Sequence, residues 1–237
     1  MFAENLEKIR GQIAEAAARS GRSADCVTLI AVSKTHNPEA ILEAVDAGQL
    51  LFGENRVQEA RAKMPLLPSR VRWHLIGHLQ SNKIRQALPA FERIHSMDTL
   101  ALARETNRIA GELGLFPKVF LEINVAGESS KFGFTPDALR AGMEELLTLD
   151  RVAIDGLMTI PPYAPDAESS RRYFVRLREL RDRLASEFRV PLPELSMGMS
   201  GDFAVAVEEG ATFVRIGTAL FGERRGKAWK PPGPEVD

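Results

Sequence analysis

Cysteine is nearly absent from this chain of 237 residues, and the single Cys26 has no partner for an internal disulfide. That usage fits a reducing cytosol, so a cytoplasmic location is expected. No hydrophobic run approaches the length that crosses a bilayer. Neither sign of charge is in excess: 31 Lys and Arg against 32 Asp and Glu leave a net charge of −1. The chain therefore offers no basic field for nucleic acid or for an anionic membrane. Glu4, Glu7, Lys8 and Arg10 are interleaved near the N-terminus, which is not the pattern of a signal peptide. No Pro/Gly-rich linker divides the chain. Only the residues from Gly226 onward have that composition, so 1–225 reads as one domain and 226–237 as a flexible tail. What remains, 44% hydrophobic and 27% charged, is ordinary globular composition.

Periodicity organises the rest. Leu6, Ile9, Ile13, Ala16 and Ala17 recur at helical spacing before Gly21, which predicts an amphipathic N-terminal helix. From there apolar runs alternate with helical patterns. Strands are expected at Val27–Ser33, Leu50–Phe52, Val71–Leu75, Arg93–His95, Lys118–Asn124, Ala153–Met158, Glu194–Ser196 and Thr212–Ile216. Asn37-Pro38 and Thr135-Pro136 each place a capping residue before a proline suited to the first helical position. Eight strand–helix units in a chain of this length predict an α/β fold, a single (β/α)8 TIM-type barrel with an extra N-terminal helix. A doubly wound open sheet is the alternative.

Chemistry in such a barrel gathers at the C-terminal ends of the strands. The run Val27-Thr28-Leu29-Ile30-Ala31-Val32-Ser33 ends at Lys34. An amine whose stem sits in apolar surroundings loses some preference for its charged form and becomes a nucleophile toward aldehydes. A lysine that merely snorkels to water is the competing reading. At the other end of the chain, Ser196-Met197-Gly198-Met199-Ser200-Gly201 and Arg215-Ile216-Gly217-Thr218 place small residues before helices in the loops after strands seven and eight. Backbone N–H groups there would form an anion cup. In a closed barrel strands eight and one are neighbours, so one ligand carrying an aldehyde and a phosphate satisfies both sites. Pyridoxal 5′-phosphate and an aldolase sugar phosphate both qualify. Arg215 points inward on this reading. There it either reaches a pyridine nitrogen, which it would hold unprotonated, or pairs with a carboxylate such as Glu122 or Asp155.

Several motifs in order resemble the pyridoxal phosphate homeostasis protein family. They are Ala31-Val32-Ser33-Lys34, Phe52-Gly53-Glu54-Asn55, Trp73-His74-Leu75-Ile76-Gly77-His78-Leu79-Gln80-Ser81-Asn82-Lys83, Ser196-Met197-Gly198-Met199-Ser200 and Val214-Arg215-Ile216-Gly217-Thr218. The resemblance implies a barrel like the alanine racemase N-terminal domain. It implies Lys34 as the Schiff-base residue, Arg215 beside the pyridine nitrogen, Ser200, Gly217 and Thr218 on the phosphate, and Asn55 flanking the cofactor. It also implies a protein that holds the cofactor reversibly and maintains its supply, with PLP-dependent apoenzymes as recipients and no established catalysis. A small amino-acid racemase and a Schiff-base aldolase are the alternatives.

Met158, Met197 and Met199 would be soft walls near strand ends, with Met197 counted among the cofactor contacts. His74 and His78 have the spacing of a helical metal pair, but the segment reads as a strand running into Gly77, so no metal is expected. His78 would make loop hydrogen bonds near the site. Lys131 is the rival amine, placed at the entrance. Tyr163, in a Pro-rich loop, and Tyr173, inside a helix, are the only tyrosines. A two-base racemase needs an acid/base group on each face, and the chain has no length left for a second domain. A monomer is therefore expected.

Overall fold

A computed structural model describes residues 1–128, 131–222 and 229. Eight parallel strands close on themselves in sequence order. They are β1 (Thr28–Val32), β2 (Leu51–Glu54), β3 (Arg72–Leu75), β4 (Arg93–Met97), β5 (Lys118–Glu122), β6 (Ala153–Met158), β7 (Glu194–Ser196) and β8 (Phe213–Ile216). The barrel was the expectation, and the open sheet is excluded by the pairing of β8 with β1, Leu29 opposite Val214 and Ala31 opposite Ile216. The helices are α1 (Phe2–Arg19), α2 (Pro38–Asp46), α3 (Val57–Lys63), α4 (Ile84–Ala87), α5 (Leu100–Leu113), α6 (Pro136–Leu147), α7 (Arg171–Phe188), α8 (Phe203–Glu208) and α9 (Thr218–Phe221). The expected flexible tail, 226–237, lies outside the described residues apart from Trp229.

The caps read from sequence are made. The Asn37 side chain accepts from the N–H of Ala40 at 3.1 Å, and Thr135 accepts from Ala138 at 3.1 Å. Each satisfies one of the N–H groups that a helix start leaves without a partner. The extra helix α1 buries Phe2, Leu6, Ile9, Ile13, Ala16 and Ala17. Asn5 ties it to α9 by donating to the carbonyl of Leu220 at 2.9 Å.

Two apolar bodies form the core. The larger fills the space between sheet and helices, with Ala31, Phe52, Leu75, Leu121, Leu195 and Val214 facing Ile41, Leu139, Phe174 and Leu177. The smaller lies inside the barrel and contains Ile30, Leu51, Phe120, Met158 and Phe213. Side chains alternate faces along a strand. Ile30 faces in, Val32 follows on the same face, and Lys34 stands two residues further, past the strand end. The same two-residue step carries Leu51 to Asn55, Phe120 to Glu122, and Phe213 to Arg215 and Gly217.

Candidate functional site

A cavity of about 460 Å³ opens at the C-terminal ends of the strands. Lys34, Asn55, His78, Ser200, Arg215, Gly217 and Thr218, all singled out in the sequence, line it together. Val32, Ile76, Phe132, Ile160 and Met199 supply its apolar surface, and Glu122 a carboxylate. Lys34 is half-buried, and among the described residues no partner holds its ammonium. Gly77 makes the adjacent wall possible. A Cβ there would lie 2.4 Å from the carbonyl oxygen of Asn55, so only glycine lets the exits of β2 and β3 approach this closely.

Where the sequence led to an anion cup at two converging helix starts, the arrangement differs in detail. The N–H groups of Gly217 and Ala219 point at one atom, the Ser200 hydroxyl, at 3.3 and 3.2 Å. The loop after β7 thus contributes a hydroxyl, and the start of α9 contributes the N–H groups. Both helices are short, so the convergence of these N–H groups on one acceptor oxygen, rather than a long dipole, gives the spot its affinity for an anion.

Arg215 is buried and donates to the Ser196 hydroxyl at 2.6 Å and to the Thr159 carbonyl at 2.8 Å. It makes no hydrogen bond to Glu122, and Asp155 pairs with Arg93 instead at 2.7 Å. The carboxylate pairing considered from sequence is thereby corrected. Burial lowers its pKa to about 10, partly offset by Glu122 and Asp202, so it stays charged at neutral pH. The bond to Ser196 continues inward: the Ser196 hydroxyl lies 2.8 Å from Nδ1 of His95, whose Nε2 lies 3.0 Å from Nδ1 of His74. Burial, then the charges of Arg93 and Arg72, push His74 down to about 3, and burial holds His95 well below its ordinary range. Both rings are neutral. Arginine can only donate, so the Ser196 hydroxyl donates to Nδ1 of His95 and Nε2–H of His95 donates to Nδ1 of His74. This buried chain fixes the guanidinium from below.

Glu122 is the group that sequence reading undervalued. Burial, then the charge of Asp98, raises its pKa to about 7 against the opposing pull of Arg215. Asp98 in turn lies 2.9 Å from Nδ1 of His78, and the His78 ring stacks on Phe132 with centroids 4.0 Å apart. His74 and His78 therefore serve different layers of the barrel and do not act as a pair.

Four expected contacts do not line the cavity. Met197 faces the helices within the outer core, and Met199 takes the place expected of it. Alternation explains the correction, since the inward Ser196 turns its neighbour outward. Met158 is buried in the lower barrel layer. Tyr163 is 96% exposed, and Tyr173 packs against the outer core from α7. Lys131 is exposed, beside the Phe132 that walls the cavity.

The fold and site define a class. The family model described as "Alanine racemase, N-terminal domain" matches residues 5–225. An alanine racemase of Clostridium difficile shares the fold with a TM-score of 0.70 at 16% identity, over 95% of this chain and 58% of its own. Closer similarity lies elsewhere. A pyridoxal phosphate homeostasis protein of Aquifex aeolicus is 47% identical over 223 residues, 94% of this chain and 98% of its own. PipY of Synechococcus elongatus, whose structure has PLP bound, is 45% identical with a TM-score of 0.82, over 94% of this chain and 100% of its own. The chain belongs to the pyridoxal phosphate homeostasis protein family, within the wider group of alanine racemase N-terminal domains.

Proposed function

We propose that this protein binds pyridoxal 5′-phosphate in the cavity at the top of the barrel and holds it reversibly for supply to other proteins. One observation carries the reading: an amine with no partner among the described residues, a pair of N–H groups converging on a hydroxyl, and a donor-only guanidinium meet at the same cavity. The donor set fits the cofactor. Its phosphate suits the N–H groups of Gly217 and Ala219 with the Ser200 hydroxyl and Thr218, and its ring nitrogen suits Arg215 as an acceptor. Bound there, the cofactor supplies an aldehyde carbon that a primary amine captures with loss of water, and a ring that withdraws electrons. Lys34 provides that amine. Arg215 keeps its proton at neutral pH, so a ring nitrogen facing it would stay unprotonated and the ring would withdraw electrons weakly. Asn55 and Met199 would flank the ring, and Ile76 and Phe132 would give it apolar wall. These features favour holding over turnover.

The PLP-bound structure of PipY supports the assignment of ligand. The exposed, unpaired Cys26 supports a reducing compartment such as the cytoplasm, and no described helix is long and apolar enough to cross a membrane. Recipients would be PLP-dependent apoenzymes. Lys131, the exposed neighbour of Phe132, would receive cofactor on its way out, and a slower aldehyde exchange is expected in Lys131→Ala.

Absorbance titration tests the proposal. Pyridoxal 5′-phosphate should produce a new long-wavelength band, pyridoxal without its phosphate should bind at least tenfold more weakly, and Lys34→Ala should lose the band. Equal affinity for the two aldehydes would remove the anion cup from the account. A second reading, an amino-acid isomerase, is favoured by Glu122 and His78 within the cavity. Racemisation of amino acids by the loaded protein would establish it.

A further inference from the structure

Outside the barrel wall, where α3 packs against the exits of β1 and β2, lies a cluster of charge none of whose members lines the cavity. Lys63, at the end of α3, is fully buried. Its ammonium donates to Glu54 Oε1 at 2.7 Å, to Glu59 Oε1 at 2.7 Å and to the carbonyl of Ser33 at 2.9 Å. Two carboxylates share one ammonium out of reach of water. Burial accordingly raises the pKa of Glu54 to about 7, with Lys63 opposing and Glu59 reinforcing the rise. Such clusters seldom repay their desolvation as stability, and their best-attested use is to fix one geometry.

The geometry fixed here is the backbone on both sides of Lys34. On one side the Ser33 hydroxyl donates to Glu54 at 2.8 Å, and its carbonyl accepts from Lys63. On the other side the N–H of Thr35 donates to Glu59 at 2.5 Å, and its carbonyl accepts from the N–H of Trp229 at 2.9 Å. The Trp229 ring lies 5.2 Å from the Lys63 ammonium and covers it. Thr35 has φ of 67°, a left-handed conformation that a β-branched residue adopts only when its surroundings impose it. Every one of these bonds holds a neighbour of Lys34 and none holds its amine.

We infer that the buried Lys63–Glu54–Glu59 cluster is a positioning device, which clamps the peptide groups flanking Lys34 and aims its amine across the cavity toward Gly217 and Ser200. The inference rests on the binding role proposed for Lys34. The strained turn at Thr35 is the part that the clamp holds in place, and Glu59 is its most direct handle.

Two readouts test the clamp, one of them without cofactor: amide exchange at Thr35 in the free protein, and affinity for pyridoxal 5′-phosphate by absorbance. In Glu59→Ala the Thr35 amide should exchange at least tenfold faster and affinity should fall at least tenfold, with α5 amides unchanged. Glu59→Gln keeps an acceptor oxygen and should return both values to within threefold of wild type. Thr35→Gly, which relieves the strained φ and endangers folding least, should lower affinity at least threefold without lowering Tm. Faster exchange in Glu59→Ala with unchanged affinity would reduce the cluster to a structural feature, as would undiminished affinity in Thr35→Gly. Lys34→Ala separates the two levels. If it binds as tightly as wild type, the binding role and the clamp's purpose fall together; if it loses affinity while Glu59→Ala does not, the clamp alone falls.

Discussion

At the scale of single residues, the account turns on where charge is buried. Glu122 ionises reluctantly because burial and Asp98 oppose its charge. A carboxyl with a raised folded-state pKa contributes stability fully below its unfolded value of 4.5, and that contribution is lost as pH rises through about 7. Glu122→Gln should therefore unfold at higher urea than wild type at pH 8, by at most about 3 kcal/mol, and show little difference at pH 4.5. A wild-type advantage at pH 8 would contradict the assignment. Glu54 retains a slope of the same sign in the variant. Residue types were a partial guide here. Lys34, Arg215 and Ser200 were legible because they end strands at loops where this fold places chemistry. The Lys63–Glu59 pair was not, because on a helix read by itself a Glu and Lys four apart look like an exposed pair. Only the packing of α3 under the turn at Lys34 makes it buried. Met197 was misjudged although the period of two along β7 already pointed it outward.

At the scale of elements, the strands were readable from apolar runs and their helices from caps. Thr135 caps α6 as its sequence indicates, so Thr135→Ala should cost about 1 kcal/mol and lower Tm by about 2–4 °C. An unchanged Tm would show that the cap adds nothing in this context. Shorter elements were less legible. The short helical segment after β3 is split into a 3-10 turn at Ser81–Lys83 and the single turn of α4, a division that no periodicity announces. The rims between β2 and β3 depend on a close approach that no periodicity encodes. Gly77→Ala should force apart the backbones at Asn55, destabilising the protein by roughly 1–3 kcal/mol and weakening cofactor binding together. Loss of stability with intact binding would show that Asn55 does not depend on this contact.

At the scale of the whole molecule, closure of the barrel is what creates a site at all. Lys34 and Gly217 are separated by most of the chain, and the pairing of β1 with β8 makes them neighbours across one cavity. Strand count and alternation foretold that closure, and with it the joining of amine and anion cup. The buried chain from Arg215 to His74 and the clamp under Lys34 could not be foretold, since each is assembled from three or more strands or helices. The most direct measurement of the central claim is borohydride reduction of the protein mixed with pyridoxal 5′-phosphate, followed by mass mapping of its peptides. The account predicts one reduced cofactor adduct on the peptide containing Lys34, absent from Lys34→Ala. An adduct found on Lys131 or another lysine with Lys34 unmodified, or no adduct at all, would contradict it.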